Sequence, residues 1–178
     1  MTKVVVTGGA GFIGSHLTDA LLKRGFDVHV IDNLTAEKRE NVNPRANLHQ
    51  IDIRDFEKLG AVFRGAQYVF HAAALPRVMP SISDPRATHE VNATGTLNVL
   101  VAARDAGVKR VVYSASSSAY GEQSELPLKE TMPASPLHPY GLQKWMGELN
   151  SALFSKLYNL ETVSLRYFNV YGPRAPAD

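Results

Sequence analysis

Tyr140 and Lys144 stand four residues apart in the run Tyr140-Gly141-Leu142-Gln143-Lys144. That spacing stacks a phenol and an ammonium on one face of a helix. A free phenol, with a pKa of about 10, is a poor base at neutral pH. A neighbouring ammonium favours the phenolate, so the pair suits the removal of a proton from a substrate hydroxyl. Taken alone the spacing is common, and its bland reading is a core tyrosine beside a surface lysine. Context comes from Val111-Val112-Tyr113-Ser114-Ala115-Ser116-Ser117-Ser118-Ala119-Tyr120-Gly121, which reads as a buried strand ending in hydroxyls. Ser116 is the preferred group to hydrogen-bond the reacting oxygen and relay its proton to Tyr140. Ser118 is the alternative, and the neighbouring serines also read as turn formers.

A second chemical signal lies near the N-terminus, in Thr7-Gly8-Gly9-Ala10-Gly11-Phe12-Ile13-Gly14. It follows a short apolar run and precedes an amphipathic helix. Gly8 permits the sharp turn, Gly11 lets the backbone approach a pyrophosphate, and Gly14 lets the helix pack on the sheet. The free N–H groups and positive end of the helix then face the anion. A glycine triplet alone is weak, because turns recruit glycine for steric reasons. Asp32 stands eighteen residues past Gly14, at the end of the second apolar run, where a carboxylate can accept from the adenosine ribose hydroxyls. It would repel a 2'-phosphate, so NAD is expected over NADP. Lys38 and Arg39 in the next loop keep NADP as a minority reading, although loop charges are usually solvated. A cationic nicotinamide would further favour a phenolate at Tyr140. Asp52-Ile53, read as the end of the third strand, could flank the adenine ring, or serve equally as a cap for a helix from Asp55 to Phe63. Ala72-Ala73-Ala74 would leave room for the dinucleotide's backbone.

The elements that must position these groups follow from periodicity. Short apolar runs at Val4–Thr7, Val28–Asp32, Leu48–Asp52, Tyr68–His71, Arg110–Ser114 and Thr162–Arg166 alternate with helical segments near 12–24, 55–64, 86–106 and 138–158. That pattern predicts an α/β protein: a Rossmann-type, doubly wound parallel sheet with helices on both faces. The segments 33–47, 77–84 and 121–139 lack a clear period and carry most of the proline, so they are expected to be loops. The whole chain, 1–178, reads as one NAD-binding domain.

Composition narrows the partners. Nineteen Lys plus Arg against seventeen Asp plus Glu leave a formal charge of +2 without a long basic run, so no nucleic acid partner is expected. There is no cysteine, and the six histidines lie far apart in sequence, so neither a disulfide framework nor a metal site is expected. The apolar run before the first glycines is too short for a signal sequence or a membrane span, which makes no membrane and a cytoplasmic location the default expectations.

The ordered set Thr7–Gly14, Asp32-Asn33, Asp52-Ile53, His71–Ala74, Asn92-x-x-Gly95-Thr96, Ser114–Gly121, Tyr140–Lys144 and Arg166-Tyr167-Phe168-Asn169-Val170-Tyr171-Gly172-Pro173-Arg174 resembles the extended short-chain dehydrogenase/reductases. The likeness is to the UDP-glucose 4-epimerase group of NAD-dependent epimerases and dehydratases. By this resemblance Tyr140 is the base, Lys144 binds the nicotinamide ribose, and Ser116 completes the catalytic set. It implies cofactor contacts from Gly8, Gly11, Phe12, Ile13, Gly14, Asp32, Asn33, Asp52, Ile53, Ala72, Ala73, Ala74, Asn92, Ser114, Tyr140, Lys144, Tyr167 and Phe168. It implies substrate contacts from Ser116, Ser118 and Asn169. Elimination enzymes of the family resemble one another in an Asp-Glu pair, and decarboxylating ones in a Glu, just after the position of Ser116; here Ser117 and Ser118 follow. Enzymes inverting carbons 3 and 5 look to use Cys and His, and this chain has no Cys. The reaction left is 4-epimerisation of a nucleotide sugar, UDP-glucose/UDP-galactose or the N-acetyl forms, through a transient 4-keto sugar with NAD recycled. The alternatives are a truncated NAD-binding module with little turnover, or another oxidoreductase or dehydratase of the family. The resemblance further implies a C-terminal substrate-binding half that this sequence lacks, and a homodimer through the helices near 86–106 and 138–158.

Overall fold

The computed structural model describes residues 1–175. Six strands, β1 (Lys3–Thr7), β2 (Asp27–Asp32), β3 (Asn47–Gln50), β4 (Tyr68–His71), β5 (Arg110–Ser116) and β6 (Glu161–Tyr167), form one sheet in the order β3-β2-β1-β4-β5-β6. Every neighbouring pair is parallel. The order reverses between β1 and β4, the switch point at which a doubly wound Rossmann sheet opens a crevice beyond its strand ends. The helices are α1 (Phe12–Lys23), α2 (Phe56–Phe63), α3 (Val78–Ser83), α4 (Pro85–His89), α5 (Thr96–Asp105) and α6 (Pro139–Tyr158).

Alternation along the strands divides the core in two. Val5, Ile31, Val69 and Val111 point to one face and pack with Leu59 and Phe63 of α2, Val99 and Leu100 of α5 and Phe154 of α6. Val4, Val6, Val28 and Val30 point to the other and meet Leu21 and Leu22 of α1. The expected doubly wound sheet with helices on both faces is therefore what forms. Strands buried on both sides read as continuous apolar runs, which is why they were visible in sequence.

Three expectations need correction. The third strand ends at Gln50, so Asp52 and Ile53 lie in the connection that follows. There the Asp52 carboxylate accepts from the Arg54 N–H at 2.9 Å, turning the chain out of the sheet. Asp52 does not cap α2 either; Asp55 holds that position and makes no side-chain capping bond. Segment 77–84, expected as loop, contains α3. Pro80 falls in its first turn, where backbone N–H groups have no helical partner to lose. The single helix expected over 86–106 is α4 and α5 joined by a π-helical turn, Glu90–Gly95. The Thr96 hydroxyl donates to the Asn92 carbonyl at 2.6 Å, claiming the acceptor that a regular turn would use.

Candidate active site

At the end of β1 the backbone turns through Gly8, whose φ is +70° and where a Cβ would lie 2.6 Å from the Ala73 nitrogen. A Cβ on Gly14 would collide with the Gly8 carbonyl, so α1 can begin hard against the turn only with glycine there. Gly11 is the N-cap of α1 and offers no side-chain acceptor. The first bond back onto it comes from Ser15 N–H, at 2.9 Å. The N–H groups of Phe12, Ile13 and Gly14 are left without helical acceptors, a ready cradle for an anion. All three residues, with Gly8 and Gly11, line a cleft of about 950 Å³ that extends to Tyr140 and Lys144.

At one end of the cleft lies Asp32, 8% exposed. Its two carboxylate oxygens accept from the N–H groups of Ala10 and Leu34, each at 2.9 Å. Asn33 donates to the Asp52 carboxylate at 2.8 Å. The Arg54 guanidinium bonds Asp52 and holds its carboxyl well below the usual carboxylate range. Asn33, Asp52 and Ile53 all line the cleft. Glu37, which the sequence left unremarked as one more loop charge, lines it too, whereas Lys38 and Arg39 do not.

Tyr140, Lys144 and the serines that end and follow β5 gather at the other end. Tyr140 and Lys144 ride the first turns of α6. His138 caps that helix by accepting from Gly141 N–H at 3.1 Å, and Ser81 of α3 accepts from Tyr140 N–H at the same distance. Burial pushes the Tyr140 phenol upward, and the Ser116 hydroxyl opposes this by hydrogen bonding that favours phenolate. Lys144 is 4% exposed and donates from Nζ to the Ser114 carbonyl at 2.8 Å. Burial pushes its ammonium down to about 8. Both line the cleft with Ser114, Ser116 and Ser118, which brings the phenol, the ammonium and the hydroxyls onto one cavity.

Ala72, Ala73 and Ala74 form the cleft wall beyond β4, and Tyr167, Phe168 and Asn169 the wall beyond β6. Asn92, which the resemblance implied as a cofactor contact, lies beside the loop that follows β4. It is 1% exposed and outside the cleft lining. Its amide is spent on the Leu75 backbone, at 2.8 and 3.1 Å, and on Gln143 at 2.9 Å. It ties the loop after β4 to α6 between Tyr140 and Lys144, a positioning role. His71 is also hidden behind the site. Thr7 Oγ1 lies 2.6 Å from its Nδ1 and Thr96 Oγ1 2.9 Å from its Nε2. Since the Thr96 hydroxyl already donates to Asn92, it accepts from His71 Nε2–H, and Nδ1 accepts from Thr7. Burial, with the Lys144 charge nearby, pushes His71 down to about 3, so it stays neutral. No sequence period marks Ser81 or His71, because each acts through a contact between distant elements; His138 acts locally, as a cap three residues before its donor, and histidine is not among the usual capping residues.

Beyond β6 the chain returns to α1. The His16 ring bonds the Pro173 carbonyl at 2.7 Å, and Arg174 reaches Asp19 at 2.8 Å. The cleft is thereby bounded on its α1 side by the segment that follows the last strand. A glycine cradle that a Cβ would close, a carboxylate at the far end and a buried ammonium beside a phenol fit an NAD molecule along this cleft. Among the described residues there is no cluster of side chains able to hold a metal, and no helix long and apolar enough to cross a membrane.

Known proteins share both the sequence and the fold. A putative UDP-glucose 4-epimerase of Methanocaldococcus jannaschii is 42% identical over 175 residues, 96% of this chain and 57% of that protein. The crystal structure of the Thermotoga maritima UDP-glucose 4-epimerase with UDP-glucose superimposes with a TM-score of 0.95 at 40% identity, covering 97% of this chain and 57% of that one. The Thermus thermophilus UDP-glucose 4-epimerase in complex with NAD gives 0.94 at 42% identity, covering 98% and 58%. The chain thus spans little more than half the length of these relatives. The sequence profile described as the NAD dependent epimerase/dehydratase family matches residues 4–178, and with both ends of the cleft inside that match, the chain belongs to this family.

Proposed function

We propose that the protein binds NAD and serves as a nucleotide-sugar 4-epimerase, acting on UDP-glucose and UDP-galactose or their N-acetyl forms through a transient 4-keto sugar. The observation that carries this reading is the convergence of Tyr140, Ser116 and Lys144 on the cleft that the glycine loop opens. NAD, when bound, supplies a hydride acceptor that returns the hydride to the other face of the sugar. Ser116 holds the reacting hydroxyl and Tyr140 takes its proton. Lys144 anchors the cofactor ribose and, as a cation, favours phenolate. Tyr167 and Phe168 border the nicotinamide end, and Ser118 and Asn169 reach toward the substrate. Ser117 and Ser118, in place of an acidic pair, leave no proton shuttle for elimination at a second carbon.

Leu142, Leu149, Leu153 and Leu157 stand exposed along α6, and Leu97 of α5 is 39% exposed. Buried against the same stripe of a second copy they would form a homodimer, the arrangement we propose for the assembled protein, working in the cytoplasm. A second reading is favoured by the span of little more than half its relatives and by Phe168 and Tyr171, 60% and 92% exposed at the cleft rim. On that reading the chain by itself is an NAD-binding module with little turnover, since binding of remote substrate parts supplies much of a barrier.

The two are separated by incubating the chain with NAD and each UDP-sugar, resolving products by chromatography, and repeating with Tyr140→Phe. An epimerase interconverts at least one pair and loses about 10²–10⁴-fold in rate on losing its base. Complete inactivity with every sugar, alongside NAD binding, leaves the module.

A further inference from the structure

The acidic end of the cleft holds three carboxylates, Asp32, Glu37 and Asp52. Asp32 ends β2, and Glu37 follows in the loop that begins with Leu34, itself in the left-handed region at φ 58°. The loop folds back so that a Cβ on Gly11 would lie 3.6 Å from Glu37 Oε1. Glu37 is thus brought over the glycine turn while its neighbours Lys38, Arg39 and Glu40 remain exposed and outside the cleft lining. Neither hydrogen bonds nor ion pairs join Glu37 to a cation among the described residues, and its closest charged influence is Asp32. Arg54 lines the cleft as well but is paired with Asp52, so Asp32 and Glu37 face the cavity as two uncompensated carboxylates, a field hostile to an added anion. The oxygens of Asp32 are each already bonded to a backbone N–H. Glu37 is the carboxylate there with its acceptor capacity unspent.

We infer that Glu37 is a specificity-determining residue, accepting a hydrogen bond from the adenosine ribose and excluding a dinucleotide that carries a 2'-phosphate. This rests on the reading of the cleft as the NAD site. Asp32 sets the ribose preference from the sheet, and Glu37 closes the same pocket from the loop above Gly11. The two act additively as charges on a phosphate and unequally on NAD, which has only hydroxyls to offer. Burial raises the Glu37 carboxyl above its ordinary value, and Asp32 adds to the rise. Discrimination therefore weakens on the acid side, as Glu37 takes up its proton.

The test is direct binding of NAD and NADP, measured by calorimetry for the wild-type chain, Glu37→Gln and, as a control for net charge, Glu40→Gln. Removing one like charge from a partly screened site is expected to raise NADP affinity relative to NAD by about tenfold in Glu37→Gln, with Glu40→Gln unchanged. The wild-type ratio is expected to fall as the pH is lowered by more than that of Glu37→Gln, which has no carboxyl at this position to take up a proton. An unaltered ratio in Glu37→Gln, or an equal change in Glu40→Gln, overturns the inference while leaving the NAD site intact. Failure of the wild-type chain to bind NAD at all overturns the reading of the cleft itself, and this inference with it.

Discussion

Replacing Lys144 by Met should make the cofactor-free protein more stable while disabling it. The ammonium is 4% exposed and burial lowers its pKa from the ordinary 10.5 to about 8. That displacement corresponds to about 3 kcal/mol by which the fold disfavours the charged form relative to the unfolded chain. The unfolded chain binds this proton more tightly, so the penalty is fully present below pH 8 and is relieved as pH rises from about 8 toward 10.5. Methionine fills the same unbranched volume without charge but strands the Ser114 carbonyl that now accepts from Nζ at 2.8 Å, a loss of about 1 kcal/mol. The net gain at pH 7 is about 2 kcal/mol, or about 4–8 °C in Tm for a chain of this size. Thermal unfolding followed by circular dichroism, without NAD, at pH 7 and pH 9.5 measures it. The advantage of Lys144→Met should shrink by more than half at the higher pH, because the wild-type fold then holds a neutral amine. A variant that melts at or below the wild-type temperature at pH 7, or an advantage independent of pH, would refute the argument that burial of this charge is what the fold tolerates for function.

Ser116→Ala removes the hydrogen bond that opposes the upward push of burial on Tyr140. The rising, acid-side limb of the pH–rate profile, along which Tyr140 must lose its proton, should move to higher pH. Gly14→Ala places a methyl against the Gly8 carbonyl; it should lower stability by about 1–3 kcal/mol and weaken NAD binding, read by denaturant unfolding and calorimetry. Leu149→Glu combined with Leu153→Glu introduces like charges on the proposed pairing stripe. Light scattering should show a dimer mass for the wild-type chain and a monomer mass for the variant, with NAD affinity unchanged.

The central strands were legible because burial on both faces favours apolar runs, unlike the more exposed edge strands β3 and β6, and the glycine loop because its three spacings each answer a steric need. Tyr140, Lys144 and Ser116 were legible as residue types with a required spacing and a required strand end. What escaped was set by contacts between distant segments. Asp52 reads as a strand end until its bonds to Asn33 and Arg54 are seen. The bonds by which Asn92 joins Leu75 to Gln143 span 17 and 51 residues and leave no local pattern. Glu37 differs from Lys38 and Arg39 only in which way the loop carries it, and no local pattern encodes that. α3 was hidden by Pro80, a helix breaker everywhere except in the turn where it stands.

The π-helical turn at Glu90–Gly95 makes this stretch intolerant of changes in length. Each residue of a regular helix advances its side chain by about 100°. Deleting one residue would let the segment relax to ordinary pitch and swing everything after it by that angle. Asn92 grips Leu75 and Gln143 on one side of the turn, and Thr96 grips His71 on the other. With a shorter segment only one grip survives, so side chains can vary at the exposed Glu90 and Thr94 while the length of the segment cannot.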